Sequence, residues 1–112
     1  MAKYIIKFDP DYFATSLWGD NDNAHSDLGC NIRYETVGLS AGLINRLKKF
    51  DDSVFGLIDW SNPGGDCPLT YEERSKIYEE GKQLLQLVRD ELGTDYEVID
   101  MLGWIKPEIN NE

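Results

Sequence analysis

Tyr4, Ile6 and Phe8 alternate with Lys3, Ile5 and Lys7 at the start of the chain. A period of two in β-forming residues predicts a strand over 3–8, stopped by Asp9-Pro10. Tyr12-Phe13 and Leu17-Trp18 come next as apolar pairs suited to covering one end of a core, and 20–29 reads as loop from its Asp, Asn, Ser and Gly. A second alternation, Ile32, Tyr34 and Thr36 against Arg33, Glu35 and Val37, predicts a strand over 32–37 that Gly38 ends.

Beyond Ser40, which is placed as an N-cap, the period lengthens. Leu43, Leu47, Phe50, Val54 and Leu57 recur at steps of three or four, with Ile44 and Ile58 widening the stripe. This is an amphipathic helix with a break expected near 51–53, ending before the Ser-Asn-Pro-Gly-Gly-Asp loop at 61–66. Thr70 and Glu73 then form a capping box, in which the hydroxyl accepts from the Glu73 amide and the glutamate reaches back. The helix they open carries Ile77, Leu84, Leu85, Val88 and Leu92 on one face, has a Glu72–Lys76 pair one turn apart, and stops at Gly93. Gly81 falls on the same face. A glycine there costs helix stability by about 1 kcal/mol, so close approach of another element is expected. Alternation returns over 96–101, with 101–105 extending or flanking that strand and a polar, frayed tail from 106 to 112. The pattern predicts a single α+β domain over 1–112: two main amphipathic helices packed on a small sheet that includes the N-terminal and C-terminal strands.

Charge changes the picture more than composition does. At 41% hydrophobic and 12% aromatic residues the chain is apolar enough to fold, but its 21 acids against 11 bases leave a net charge of −10. Five acids and no Lys or Arg lie between Lys7 and Arg33, six between Lys49 and Arg74, and five between Arg89 and Lys106. Sixteen of the 21 acids therefore sit in base-free stretches, mostly outside the helix interiors, so the connecting segments carry the negative field. Such a surface repels nucleic acid and anionic membranes and attracts basic partners. With no signal-peptide pattern and no run of about 20 apolar residues, the expected location is the cytoplasm, where Cys30 and Cys67 would be free thiols.

Little in the chain points to chemistry. A calcium loop starting at Asp20 has Asp22 at the third position, but Ala24, His25 and Asn31 stand where an oxygen ligand, a glycine and a bidentate glutamate are required. One histidine and two distant cysteines without metal-ligand spacing announce no zinc site, and His25 reads as a solvated loop residue. No nucleophile elbow accompanies His25, and the Pro-Gly-Gly-Asp at 63–66 lacks the lysine of a phosphate loop. Paired carboxylates remain as an alternative enzymatic reading, though any 21 acids contain pairs. No cofactor or metal is expected.

The stretches "LWGDND", "LSAGLINRLKKFDD", "LTYEERSKIYEEGKQLLQLVRDELG" and "DYEVID", in this order over 17–100, resemble small acidic bacterial immunity proteins of contact-dependent and polymorphic toxin systems. The resemblance implies a non-enzymatic protein that binds and blocks a toxin domain. Charge adds that the toxin domain is basic, fitting a nuclease, whose active site must attract phosphates. The expected contacts are Asp20, Asp22 and Asp27 in the opening loop and Asp51, Asp52, Asp59 and Asp66 around the second acidic stretch, with Trp18 and Trp60 as candidate aromatic anchors. An inhibitor or DNA mimic of phage type, aimed at a host nucleic-acid-binding protein, is the other interaction role that fits.

If the fold needs no metal, thermal melts with and without a chelator coincide. A fall of several degrees on chelation would return the 20–31 segment to consideration as a metal site.

Overall fold

Ile6 and Phe8 are completely buried while Lys7 between them is half-exposed, the alternation of a strand with one covered face. In the computed structural model, which describes residues 2–107, this strand is β1 (Tyr4–Phe8). It is an inner strand of a mixed four-stranded sheet of order β3-β2-β1-β4. β2 (Leu17–Gly19) runs antiparallel to it, with Phe8 opposite Leu17 and Lys7 opposite Trp18. β4 (Tyr96–Asp100) runs parallel to it, with Ile6 beside Val98. β3 (Asn31–Ile32) closes the other edge antiparallel to β2, pairing Ile32 with Leu17.

The register places Ile6, Phe8, Leu17, Ile32 and Val98 on one face, all buried. The two long helices supply the rest of the core: Leu43, Leu47, Phe50 and Val54 from α2 (Ala41–Phe55), and Leu84, Leu85 and Val88 from α3 (Tyr71–Leu92). Their stripes recur every three or four residues, so each helix turns a continuous apolar side to the sheet. Both caps form as expected. The Ser40 side chain accepts from the Leu43 amide, and Thr70 and Glu73 make the reciprocal capping box. Glu91, near the end of α3, accepts from the Ser40 amide and hydroxyl at 2.7 and 2.6 Å, which fastens the start of α2. Gly81 is buried where the helices meet. A Cβ there would stand 3.0 Å from two atoms of the Phe50 ring and 3.2 Å from Leu102, so the close approach expected from the sequence is present. Two α3 arginines tie the helix to the C-terminal part of the sheet. Arg89 donates to the Val98 carbonyl in β4, and Arg74 donates to the carbonyls of Ile105 and Trp104 beside the 3₁₀ turn Leu102–Trp104.

Four local expectations need correction. The 20–29 segment is not loop throughout: α1 (Asp22–Asp27) forms there, capped by the Asn21 side chain, which accepts from the Ala24 amide at 2.9 Å. The predicted strand over 32–37 survives only as the two residues of β3, because the chain turns into a 3₁₀ helix, Tyr34–Val37, that carries the Tyr34 ring into the core. Leu17 and Trp18, read as a cover for the core, are strand residues of β2. α2 runs unbroken through 51–53 and stops at Phe55, earlier than its stripe implied, with Leu57 still buried beyond its end. The Met101–Ile105 region flanks β4 as a 3₁₀ turn instead of extending it. Most of the tail expected to fray, 108–112, lies outside the described residues. Among the described residues no helix is long and apolar enough to cross a membrane, and Cys30 and Cys67 are free thiols.

Replacing Thr70 by Ala should destabilise the domain by about 1 kcal/mol, the usual cost of an N-cap, read from chemical denaturation. A change near zero would show that the capping box contributes nothing to the stability of α3.

Candidate partner-binding surface

The β1–β2 connection, residues 9–16, is where three distant parts of the chain converge. Its base is closed by a hydrogen bond from the Asp9 amide to the Ser16 carbonyl at 2.7 Å. Ser16 is fully buried and polar, so it needs partners. Its amide donates to the Tyr34 hydroxyl at 2.9 Å and its hydroxyl to Asp51 Oδ1 at 2.7 Å, while the Tyr34 hydroxyl donates to Asp51 Oδ2 at 2.6 Å. Each of the three groups thus satisfies the other two, and together they join the loop, the 3₁₀ turn and α2. Burial pushes the Asp51 carboxyl above the ordinary carboxylate range, although the bonds from Tyr34 and Ser16 pull the other way. Burial, reinforced by the neighbouring Asp51 charge, likewise drives the Tyr34 phenol far above its usual range.

Above this lock, five aromatic rings from three regions of the chain form a cluster. Phe55 and Trp60 stack at 4.6 Å with planes 24° apart, and the Trp60 indole N–H donates to the Phe55 carbonyl at 2.9 Å. Phe13 leans on both, at 5.2 Å from each centroid. Tyr12 bridges edge-on from Trp60 to Trp104. Asp9 holds two indoles in place, accepting from Trp104 of the cluster through Oδ1 at 3.2 Å and from Trp18 through its carbonyl at 2.8 Å. Phe13 is 81% exposed, whereas Phe55, Trp60 and Trp104 are each about half that.

Two clefts flank the loop and share Asp11. The larger, about 550 Å³, is lined by Phe13, Phe55 and Tyr34, with Asp11, Asp51, Asp52 and Glu35 supplying acid and Arg33 and Lys48 supplying base. Lys48 is paired with Glu35 at 3.3 Å. The smaller, about 410 Å³, is lined by Asp9, Asp11 and Asp20 together with Lys7, Trp18 and His25.

The structure therefore sorts the acids expected at an interface. Asp20 lies in the smaller cleft, 3.5 Å from Lys7. Asp22 is exposed in the first turn of α1, where its charge suits the helix dipole. Asp27 sits toward the opposite end of β1, accepting from the Tyr4 hydroxyl at 2.7 Å, and is not part of either cleft. Asp52 is exposed at the larger cleft, whereas Asp51 beside it has both oxygens engaged by Ser16 and Tyr34. Asp59 accepts from the Ser61 amide and hydroxyl, which lowers its pKa, and stands next to Trp60. Asp66 is exposed in the α2–α3 connection. Of the two tryptophans, Trp18 is half-buried on the open face of the sheet and Trp60 belongs to the ring cluster.

Asp9, Asp11, Tyr12, Phe13, Phe55 and Trp104 are the participants that sequence reasoning did not place at a binding surface. Nothing periodic marks them, but the acid–aromatic interleaving of Asp9-Pro10-Asp11-Tyr12-Phe13 was a usable signal. His25 is not simply solvated either. Its Nε2 lies 2.7 Å from the Gly19 carbonyl, which can only accept, so the ring donates and pins α1 to β2. The contact is tight: a Cβ at Gly19 would stand 2.8 Å from the Gly29 carbonyl oxygen and 2.9 Å from the His25 ring. Among the described residues no group of three or more His, Cys, Asp or Glu side chains is placed to hold a metal ion. Asp51, the one acid in the larger cleft raised by burial, is committed to holding the loop, so the arrangement is suited to binding a cation between rings and carboxylates.

A family model described as Serratia CdiI immunity protein-like matches residues 4–101, a span that includes every strand and α-helix above. No curated protein matches the chain.

The raised Asp51 pKa fixes the sign of one pH effect. An acid whose folded pKa lies above its unfolded value, 3.8 here, contributes stability that is complete below that value and is lost as pH rises through the folded pKa. The stability of wild type relative to Asp51→Asn should therefore be greatest in acid and decline toward neutral pH in denaturation series. A difference that grows with pH would mean that the hydrogen bonds outweigh burial and depress the Asp51 pKa.

Proposed function

Because the chain belongs to the Serratia CdiI immunity protein-like family, it is an immunity protein of a contact-dependent inhibition system, and we propose that the toxin domain it neutralises is a basic nuclease held through acidic loops. The observation that carries this reading is the convergence of the base-free stretches. Asp9 and Asp11 from the first, Asp52 and Trp60 from the second and Trp104 from the third meet around one loop, in a protein of net charge −10. A nuclease collects cationic side chains where phosphates must bind. A protein that presents carboxylates on a rigid loop is drawn to the same place and excludes the substrate by occupying it.

The acids divide the work by position. Asp20, Asp22, Asp59 and Asp66 are solvated, so their part is long-range attraction during encounter, and Asp27 adds to the same field from farther away. Asp52 stands at the larger cleft, where close contact is possible, and Asp51 acts through the loop it holds. Trp18 lines the smaller cleft, and Trp60 packs against Phe13 of the loop. Direct binding of nucleic acid or of an anionic membrane is disfavoured by the same field.

The test uses the cognate toxin domain of this immunity protein. The purified domain should cleave DNA or RNA, and an equimolar amount of this protein should stop the cleavage. Asp20→Asn with Asp22→Asn, or Asp59→Asn with Asp66→Asn, should slow association about tenfold at low salt, with the loss shrinking as salt rises. Association unchanged in both double variants at every salt concentration would remove the acidic-surface mechanism. A toxin that leaves nucleic acid intact would remove the nuclease assignment while leaving the immunity function in place.

A further inference from the structure

Phe13 is held at φ 65°, in the left-handed region that a bulky side chain rarely occupies, and its ring is 81% exposed. The isolated fold gains little from a phenylalanine there. Glycine would take the same backbone conformation without strain, and a polar residue would be better solvated. The exposure of the ring ceases to be a disadvantage when a partner covers it. Phe13 also does not stand alone, since it leans on the stacked pair of Phe55 and Trp60, themselves partly exposed. Clustered aromatic rings of this kind are where interfaces concentrate their binding energy.

The margin of the cluster says what the partner brings. Asp11 and Asp52 line the cleft that Phe13 and Phe55 open onto, together with Glu35 and Asp51 and the bases Arg33 and Lys48, of which Lys48 is paired with Glu35 and Asp51 is engaged by Ser16 and Tyr34. Flat ring faces beside carboxylates fit one side chain better than any other: the guanidinium of arginine, which stacks on aromatic faces and donates paired N–H groups to a carboxylate. A lysine ammonium is a strongly hydrated point charge and stacks less well. A second copy of this chain would bring like charges together, and an anionic membrane or nucleic acid would be repelled by the net charge of −10.

Resting on the reading of the protein as an inhibitor of a basic toxin domain, we propose that Phe13, Phe55 and Trp60, with Asp11 and Asp52, form the anchor of the interface and receive an arginine side chain of the toxin. The acids farther away steer the encounter, and this cluster sets how long the complex lasts.

The experiment measures association and dissociation rates of the cognate toxin domain with wild type, Phe13→Gly, Phe13→Leu, Phe13→Tyr and Asp52→Asn, beside a thermal melt of each. Phe13→Gly should leave the melting temperature unchanged or higher and speed dissociation by about tenfold or more, with little effect on association. Phe13→Tyr should behave like wild type, and Phe13→Leu, which keeps apolar bulk but loses the ring face, should dissociate faster. Changing one toxin arginine to lysine should reproduce the Phe13→Gly loss. Should Phe13→Gly fold poorly, Phe13→Leu and Asp52→Asn carry the test. Wild-type dissociation from both Phe13→Gly and Phe13→Leu overturns the anchor. Loss in Phe13→Gly but not in Phe13→Leu overturns the arginine and leaves an apolar contact. A wild-type dimer in sedimentation that Phe13→Gly converts to monomer assigns the rings to self-association and overturns the proposal. If wild type does not bind the toxin domain at all, the reading of the partner has failed and the anchor fails with it.

Discussion

β1 and β4 lie side by side and run in the same direction, although they come from opposite ends of the chain. Parallel neighbours cannot be joined by a hairpin, so the polypeptide between them must leave one end of the sheet and return to the other. α3 makes most of that return. At 22 residues it spans about 33 Å, enough to recross the sheet, and Gly93 ends it so that Tyr96 can enter beside Tyr4. Because the helices lie against one face, Ile6, Phe8 and Val98 become enclosed, and the buried stripes of α2 and α3 find a surface to cover. Arg89 and Arg74 then satisfy carbonyls at and beyond β4 from the α3 side. If the β1–β4 pairing were lost, β4 would have no strand neighbour, and α3, tied to β4 through Arg89, would lose its link to the rest of the sheet.

The same arrangement ties down the base of the β1–β2 loop. Residues 9–16 leave β1 and enter β2 at the sheet's end, where α2 passes with Asp51. A buried carboxylate is costly unless its oxygens are hydrogen-bonded, and here Ser16 and Tyr34 supply both bonds. The lock holds Ser16, and the Asp9–Ser16 hydrogen bond closes the loop whose middle carries Asp11, Tyr12 and Phe13; on the proposed reading, those groups then need less ordering at the moment of binding. A loop so held can also keep Phe13 in a strained conformation.

Charge and exposed rings work against the isolated protein. Twenty-one acids on a small domain repel one another, and partly solvated aromatic rings forgo burial. On the proposed reading, in which the toxin of this immunity protein is basic, these features make sense together: acids would speed the encounter, and rings would prolong it. Solvated charges lose influence over about 8 Å at physiological salt, whereas the ring cluster acts only in contact. The two contributions are therefore separable in kinetics.

What the residues determined locally was legible. Both long helices announced themselves through stripes and N-caps, and α3 through its terminal Gly93 as well, because a helix is set by interactions three and four residues apart; the end of α2 was not legible in this way. β1 and β4 showed their alternation, and the acidic character of the connections could be counted directly. β2, β3 and α1 were too short for a period to develop; their form depends on neighbours, Phe8 for Leu17, Leu17 for Ile32, and the Gly19 carbonyl for His25. Tertiary structure alone decided that Asp51 turns inward while Asp52 beside it stays exposed, since the outcome depends on Ser16, 35 positions away. It also decided that residues 12, 13, 55, 60 and 104 share one cluster. Local periodicity is written in the backbone's own geometry, but which acids and rings meet is set by burying the core, a contact between positions that no short stretch contains.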